Sequence, residues 1–310
     1  MTIPFEILGG VIDIPGVGVG SVTHDDQKTG VTVILCPQGT VGGVDVAGGA
    51  PATRETPVLD PANTIVGPDA VVLTGGSALG LQTADGVAQG LQRMGRGVEV
   101  GPIRIPIVVA AAIFDMEVGE PTAPTVADGL RALEEARQGR QEVDEGPHGA
   151  GTGATVGKTL GMEAAMAGGQ GAVTIKTGDG LLVSALVVVN AVGSVLGEDG
   201  SVIAGPRIEG RPQSTTHLWA LSPGRFSAGT STSIGIIVTN AQLSKAELTR
   251  VAHMGHDGLA RSIDPVHTPW DGDTLFACSV GDKPNEVGRV GALAAHAVAL
   301  AVRRGVSRGG

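Results

Sequence analysis

Tyrosine is absent from this chain, and four Phe and two Trp are its only aromatic residues. A core built on aromatic rings is therefore excluded, and Val, Ile, Leu and Ala must fill the interior. Basic charge is also scarce, with 21 Lys and Arg against 31 Asp and Glu and a net charge of −10. Nucleic-acid binding leaves a basic patch as its footprint; none is visible, so no nucleic-acid partner is expected. The one basic cluster, "RRGVSRGG", closes the sequence and reads as a frayed tail. Cysteine is limited to Cys36 and Cys278, far apart in sequence and outside any metal-type or CxxC spacing, so both read as buried structural thiols. The opening "MTIPFEILGGVIDIPGVGVG" lacks a basic stretch followed by a long apolar run. Neither a signal peptide nor a membrane span is expected, and the cytoplasm is the expected compartment.

Glycine is what the chain has in excess, 51 of 310 residues against a usual ~7%. No collagen-like period accompanies it, so it implies tight turns and close backbone contacts. With 42% hydrophobic and 17% charged residues the chain is globular, and long enough for a sizeable core. Strand-like runs recur at 31–35, 70–73, 172–176, 181–190, 233–240 and 274–280. Helical stretches alternate with them. Ala84, Val87, Ala88 and Leu91 line one face of a helix over 78–94. Ser244 and Glu247 have capping-box spacing before a helix over 243–260, and residues 289–304 form a last apolar helix. This mixture predicts a layered α/β architecture. Residues 134–153 and 197–231 read as exposed connections, and a loop as long as the second is usually functional or disordered.

Two glycine-rich motifs are decoys. "GVGVG" at 16–20 lacks the GxGxxG spacing and the helix of a dinucleotide fingerprint. "GTGATVGKTL" at 151–160 has no Gly six residues before Lys158, as a phosphate loop needs. Lys158 is then a solvated lysine or a functional one. His253 and His256 lie within reach of one metal ion on a helix, but no third ligand is placed and HExxH is absent. Asp271 and Asp273 belong to a turn, or present two carboxylates on one face of a strand for a metal or for hydrogen bonding. Asn190 closes the run "LVVVN" as a turn residue or as an amide donor to an oxyanion. Ser231, Thr232 and Ser233 open the strand "SIGIIVTN". No GxSxG elbow is present. A threonine nucleophile without histidine can use its own α-amine, freed by cutting the chain before it, whose pKa of ~7.7–8.0 suits a base near neutrality.

The segments "DIPGVGVGSVTH", "DVAGGAPATRETPVLDPAN", "VLTGGSALGLQTADGV", "VVVNAVGSV", "TSIGIIVTNAQLSKAEL" and "DPVHTPWDGDTLFA" resemble the L-aminopeptidase/D-esterase (DmpA-type) family of self-cleaving peptidases. The family includes β-peptidyl aminopeptidases and the nylon-oligomer endohydrolase. The resemblance covers nearly the whole chain. It implies one hydrolase domain over 1–310, a four-layer α-β-β-α sandwich of the type shared with ornithine acetyltransferase. It implies self-cleavage between Ser231 and Thr232 into fragments 1–231 and 232–310, assembled as a homo-oligomer, commonly a tetramer of processed units. Thr232 falls on the family nucleophile, Asn190 on its oxyanion donor, Lys158 on the active-site lysine, and Asp271 and Asp273 on the acidic pair. Gly75, Gly76, Ser77, Phe114 and Ser233 are carried as substrate-pocket positions. No metal and no cofactor is expected; the partner is a small peptide or amide substrate.

Three positions depart from the family pattern. Ser231 replaces the usual Asn before the cut, and Ser233 adjoins the nucleophile. Ala112-Ile113-Phe114-Asp115 stands where aminopeptidase members carry Glu-Thr-Tyr-Asp, so the carboxylate that holds the substrate's amine and the tyrosine hydroxyl are both missing. The expected activity is amide hydrolysis through an acyl-enzyme on Thr232. A nylon-oligomer-type amidase, an acyltransferase of the ornithine acetyltransferase type and an uncleaved non-catalytic relative are the alternatives.

Overall fold

Long β-branched runs make the strands of a computed structural model that describes residues 5–139, 142–222 and 230–307. The main strands are β1 (Phe5–Leu8), β2 (Gly18–His24), β3 (Thr29–Leu35), β4 (Val41–Val46), β5 (Thr53–Arg54) and β6 (Ala70–Thr74). They continue with β7 (Val108–Ala112), β8 (Gly169–Thr177), β9 (Leu182–Asn190), β10 (Thr232–Gln242) and β11 (Thr274–Pro284). Four long helices accompany them: α1 (Thr83–Arg93), α2 (Val126–Gln138), α3 (Lys245–Ala260) and α4 (Val287–Ser307).

The strands form two sheets. One has six strands in the order β1-β8-β9-β10-β11-β4, the other five in the order β2-β3-β6-β7-β5. Each contains a single parallel pair, β10/β11 and β6/β7, and the remaining pairs are antiparallel. A parallel pair needs a crossover, and a helix supplies it in both cases: α3 between β10 and β11, α1 between β6 and β7.

Three buried apolar clusters define the layers. Ile237, Leu275, Val183 and Val187 pack with Leu248, Val251, Val298 and Val302, which places α3 and α4 on the outer face of the six-stranded sheet. Val31, Val33, Val72 and Ala110 pack with Val87, Leu91, Ala132 and Leu133, which places α1 and α2 outside the five-stranded sheet. Between the sheets lie Ile34, Val71, Leu73 and Val109 against Leu186, Val188, Ile236 and Phe276. This is the α-β-β-α sandwich implied by the resemblance.

The strands named from sequence are all present, and α3 begins with the expected reciprocal bonds of Ser244 and Glu247. "GVGVG" turns out to run into β2, where its glycines serve packing: a Cβ on Gly20 would lie 2.1 Å from the Ala132 carbonyl oxygen of α2. Cys36 and Cys278, distant in sequence, meet in the space between the sheets, and hydrogen bonding to Cys36 together with burial pushes the Cys278 thiol well above its ordinary range.

Several expectations need correction. Residues 134–138 are the last turns of α2, whose Thr125/Asp128 capping box starts it well before the supposed connection. The expected helix over 78–94 is split into a turn at Ser77–Gly80 and α1. The segment 197–231 carries short strands and a helix at Thr215–Leu221, and its residues 223–229 lie outside the described residues. Residues 303–307 are helical, not frayed; Arg303 and Arg304 donate to the carbonyls of Leu196 and Ala172. The last three residues lie outside the described residues. Among the described residues no helix is long and apolar enough to cross a membrane.

Candidate active site

β10 begins in the middle of the six-stranded sheet, so its first residues are buried as soon as the strand forms. Thr232 lies opposite Asn190, the last residue of β9, and Ser233 opposite Val189. On the other side Ser231 bridges to Asp271, just ahead of β11. Ser231, Thr232 and Ser233 are 1%, 2% and 0% exposed. The Thr232 hydroxyl rests on the carbonyl of the preceding residue, with Oγ1 donating to Ser231 O at 2.5 Å. The Gly272 N–H donates to the same oxygen at 2.9 Å. Glycine is required there for this close approach, since a Cβ on Gly272 would lie 2.8 Å from Thr232 Oγ1.

Lys158 comes from a short 3-10 turn, Lys158–Leu160, that follows a left-handed Gly157. It is not solvated. Its Nζ donates to Thr230 O at 2.7 Å, Asn190 Oδ1 at 2.8 Å and Asn190 O at 3.3 Å. Burial pushes this amine down from 10.5 to about 7, against the opposing pull of Asp271, Glu117 and Asp115. Two features act in opposite senses here: three acceptor oxygens favour the ammonium, and desolvation favours the neutral amine. The outcome is a lysine that changes charge near neutrality.

Asn190 is fixed on three sides. Its Oδ1 also accepts the Thr155 N–H at 3.0 Å, and its Nδ2 donates to Phe114 O at 3.0 Å. One amide hydrogen is thus used inside the protein.

Asp271 and Asp273 reach the site from the turn before β11, which begins at Thr274, rather than by alternation along a strand. Asp271 Oδ2 accepts from Thr268 N and Oγ1 at 2.8 and 2.6 Å. Burial, with Asp273 beside it, raises the Asp271 carboxyl from 3.8 to about 6. Asp273 Oδ1 accepts the Ser233 N–H at 2.6 Å; its Oδ2 accepts the His267 backbone N–H at 3.0 Å and ring Nδ1 at 2.7 Å. The segment 47–50 clamps this turn: Ala47 and Gly48 donate to Asp273 O, and Ala50 to Asp271 O.

Of the positions expected to line a substrate pocket, Gly75, Gly76, Ser77 and Phe114 lie on the five-stranded side and Ser233 lies in β10. Buried Asp115 accepts from Gly76 N and from Thr29 Oγ1, both at 2.8 Å, and Ser77 N donates to Ile113 O. Burial raises the Asp115 carboxyl despite those bonds. Through the Phe114 carbonyl this loop joins Asn190, and the Asp115 carboxyl feels the charge of Lys158. Among the described residues the buried Oγ of Ser233 has no hydrogen-bond partner, while its N–H is held by Asp273.

His253 and His256 both lean on Asp45 of β4, at 2.9 and 3.4 Å. Among the described residues no group of three or more His, Cys, Asp or Glu is arranged to hold a metal ion. Sequence reasoning missed His267, Gly272 and Asp115. His267 and Gly272 stood inside the quoted "HTPWDGDTLFA", yet their contacts depend on how that turn folds back onto Ser231. The Asp273 oxygens meet three N–H donors, an arrangement that orients an anion by hydrogen bonds. Exhaustive chelation is therefore expected to leave activity unchanged. A loss with EDTA that a divalent ion restores would reassign the acidic pair to metal binding.

Comparison with known proteins shows the family and the fold. The profile of peptidase family S58 matches residues 10–308. An uncharacterized aminopeptidase of Mycobacterium leprae is 40% identical over 302 residues, covering 88% of this chain and 79% of its own. The 6-aminohexanoate-oligomer endohydrolase of Kocuria sp. is 33% identical over 304 residues, covering 93% of this chain and 80% of its own. Among solved structures, a Burkholderia β-aminopeptidase aligns with a TM-score of 0.72 at 22% identity, over 100% of this chain and 89% of its own. An L-aminopeptidase D-Ala-esterase/amidase of Ochrobactrum anthropi, described as a variant of the Ntn-hydrolase fold, aligns with a TM-score of 0.69 at 19% identity, over 97% and 86%. At those identities the two structures speak for the fold alone.

Proposed function

The chain belongs to peptidase family S58, a family of hydrolases acting on peptide and amide bonds, and from that premise we propose that it is a self-processing amidohydrolase with Thr232 as nucleophile. The observation that carries this reading is the Ser231–Thr232 peptide itself. Its carbonyl oxygen is held by the Gly272 N–H while the Thr232 hydroxyl lies against it and Lys158 grips the next carbonyl upstream, that of Thr230.

Processing then runs as follows. Thr232 Oγ1 attacks the Ser231 carbonyl carbon and gives up its proton to Lys158 in its neutral form. The Gly272 N–H stays on the oxygen as negative charge develops there. The C–N bond breaks, the Thr232 nitrogen takes a proton, and an ester joins Ser231 to Oγ1. The Thr232 α-amine is now free, and water then cleaves the ester, releasing the Ser231 carboxylate and the Thr232 hydroxyl. In hydrolysis the same hydroxyl attacks a substrate amide, the α-amine carries its proton to the leaving amine, and water releases the acyl group. Asn190 supplies an amide hydrogen to the substrate oxyanion.

A nylon-oligomer-type amidase is the second reading, favoured by one specific feature. Ala112 and Ile113 are 1% and 0% exposed and carry no carboxylate to receive a substrate α-amine. Intact mass of the purified protein tests the processing: fragments 1–231 and 232–310 are expected. A substrate panel separates the two activities. Amides of 6-aminohexanoate should be cleaved at least as fast as alanyl or β-alanyl amides; a strong preference for the latter pair would return the protein to the aminopeptidase reading. An active enzyme with an unbroken chain would remove the nucleophile assignment altogether.

A further inference from the structure

The site contains a histidine for which the reaction above has no use. His267 lies at φ 56°, a left-handed backbone conformation that is costly for a bulky residue. That conformation directs both its backbone N–H and its ring Nδ1 to one oxygen of Asp273. The other Asp273 oxygen holds the Ser233 N–H, directly after the nucleophile. Two of these contacts come from backbone N–H groups, and the third comes from a ring N–H when Nδ1 of His267 carries the hydrogen. Asp271 is satisfied differently: both of its Thr268 donors fall on Oδ2.

Behind His267 stands His256 of α3, its ring 4.7 Å away and edge-on. His256 Nε2 approaches the Asp45 carbonyl at 3.3 Å and its carboxylate at 3.4 Å, both acceptors, so this nitrogen carries the hydrogen. His267 Nε2 and His256 Nδ1 are then bare lone pairs, both buried and both without a hydrogen-bond partner among the described residues.

We propose that His267 is a positioning residue for the acidic pair: by occupying Asp273 with donors it fixes that carboxylate on the Ser233 N–H and leaves Asp271, beside the Ser231–Thr232 peptide, as the member of the pair that takes up and releases a proton. The inference rests on the proposed function, since it assigns a role within that reaction. In a close carboxylate pair one group holds a proton because both cannot easily be charged, and hydrogen bonds decide which. The charged and titratable groups around His267 are Asp273 and Asp271 on its own turn, His256 and His253 from α3, Asp45 from β4, and Lys158 across the site. Desolvation, with His267 beside it, lowers the pKa of His256.

The test compares His267→Gly with His267→Asn in the full chain. Both residues accept a left-handed backbone, so the pair differs in the side-chain donor and not in strain. Self-cleavage is followed by intact mass from pH 5 to 9. His267→Gly should cleave about tenfold more slowly, a smaller loss than the 10²–10⁴ of removing an acid–base group, and its pH profile should shift. His267→Asn should recover most of the rate. Equal rates in the two variants, or a slow His267→Gly with an unshifted profile, would overturn the proposal and leave His267 a packing residue. If the unmodified chain does not cleave at all, the processing reading fails, and His267 is then judged by ¹⁵N NMR of the histidine ring. Hydrogen on Nδ1, lost in its coupling to the carboxylate on Asp273→Asn, supports the inference; hydrogen on Nε2 overturns it.

Discussion

Replacing Thr232 by alanine is expected to leave a single species near 30.9 kDa and to abolish amide hydrolysis. The Thr232 hydroxyl lies against the Ser231 carbonyl, and Gly272 alone cannot cleave it, because an oxyanion donor without a nucleophile has nothing to stabilise. Loss of a nucleophile of this kind lowers kcat by roughly 10⁴–10⁶. Folding should survive, since alanine removes a methyl and a hydroxyl whose one hydrogen bond is to its own preceding carbonyl. Thr232→Ser keeps the oxygen and should still cleave, more slowly, because a serine hydroxyl is freer to rotate away. Two fragments from Thr232→Ala would show that Ser233 or another group makes the cut. Ser233 is the natural suspect, being buried with an unpartnered Oγ, but its N–H is tied to Asp273 and its own preceding peptide is inside β10.

Much of this was legible in the chain. The β-branched runs of β3, β6, β8, β9, β10 and β11 announce themselves because a strand buried on both faces has no reason to alternate. Helix α3 showed its start by the Ser244/Glu247 pair. Helix α2 was lost because Arg137, Gln138 and the charges before them look like solvated loop, while its apolar side, Ala132, Leu133 and Ala136, is spread thinly among them. Glycine misled in a particular way. In β2 it marks where a strand presses on a helix, a tertiary fact with no local signature. The site divides along the same line. By residue type alone Asn190, Lys158, Asp271 and Asp273 each kept a structural alternative and Thr232 was one of three hydroxyls; the resemblance chose among them, and the structure brings all five around one peptide. The role of Gly272 depends on its hydrogen bond to Ser231, some forty residues earlier, and that of His267 on how its own turn folds onto Asp273, and periodicity carries no such information.

Replacing Lys158 by methionine should have the second-largest effect. Self-cleavage takes place before any α-amine exists at Thr232, so the base for that first step must come from elsewhere, and Lys158 is the amine beside the cut. Methionine keeps the length and the apolar stem and removes the proton acceptor. Processing should slow by about 10²–10⁴, the usual contribution of a positioned base. In the unmodified chain the rate should rise as pH passes through about 7, where Lys158 becomes neutral, and then level off. Lys158→Met should lose that limb. Hydrolysis by the mature enzyme is a poorer probe, because the new α-amine titrates nearby at ~7.7–8.0. The same shift carries a stability signature. The folded-state value of about 7 lies below the ordinary 10.5, so between these two the unfolded chain binds more protons and stability rises with pH. Below 7 the full cost of burying the ammonium is present, on the order of 5 kcal/mol; toward 10.5 it disappears. Lys158→Met, compared with its parent in the uncleavable Thr232→Ala chain, should therefore gain most at low pH, less whatever is lost with the bonds to Thr230 and Asn190. Urea unfolding of both chains from pH 6 to 10 measures the difference. A gap that stays constant across that range would mean that Lys158 does not titrate there, and the base for the first step would have to be sought in Asp271.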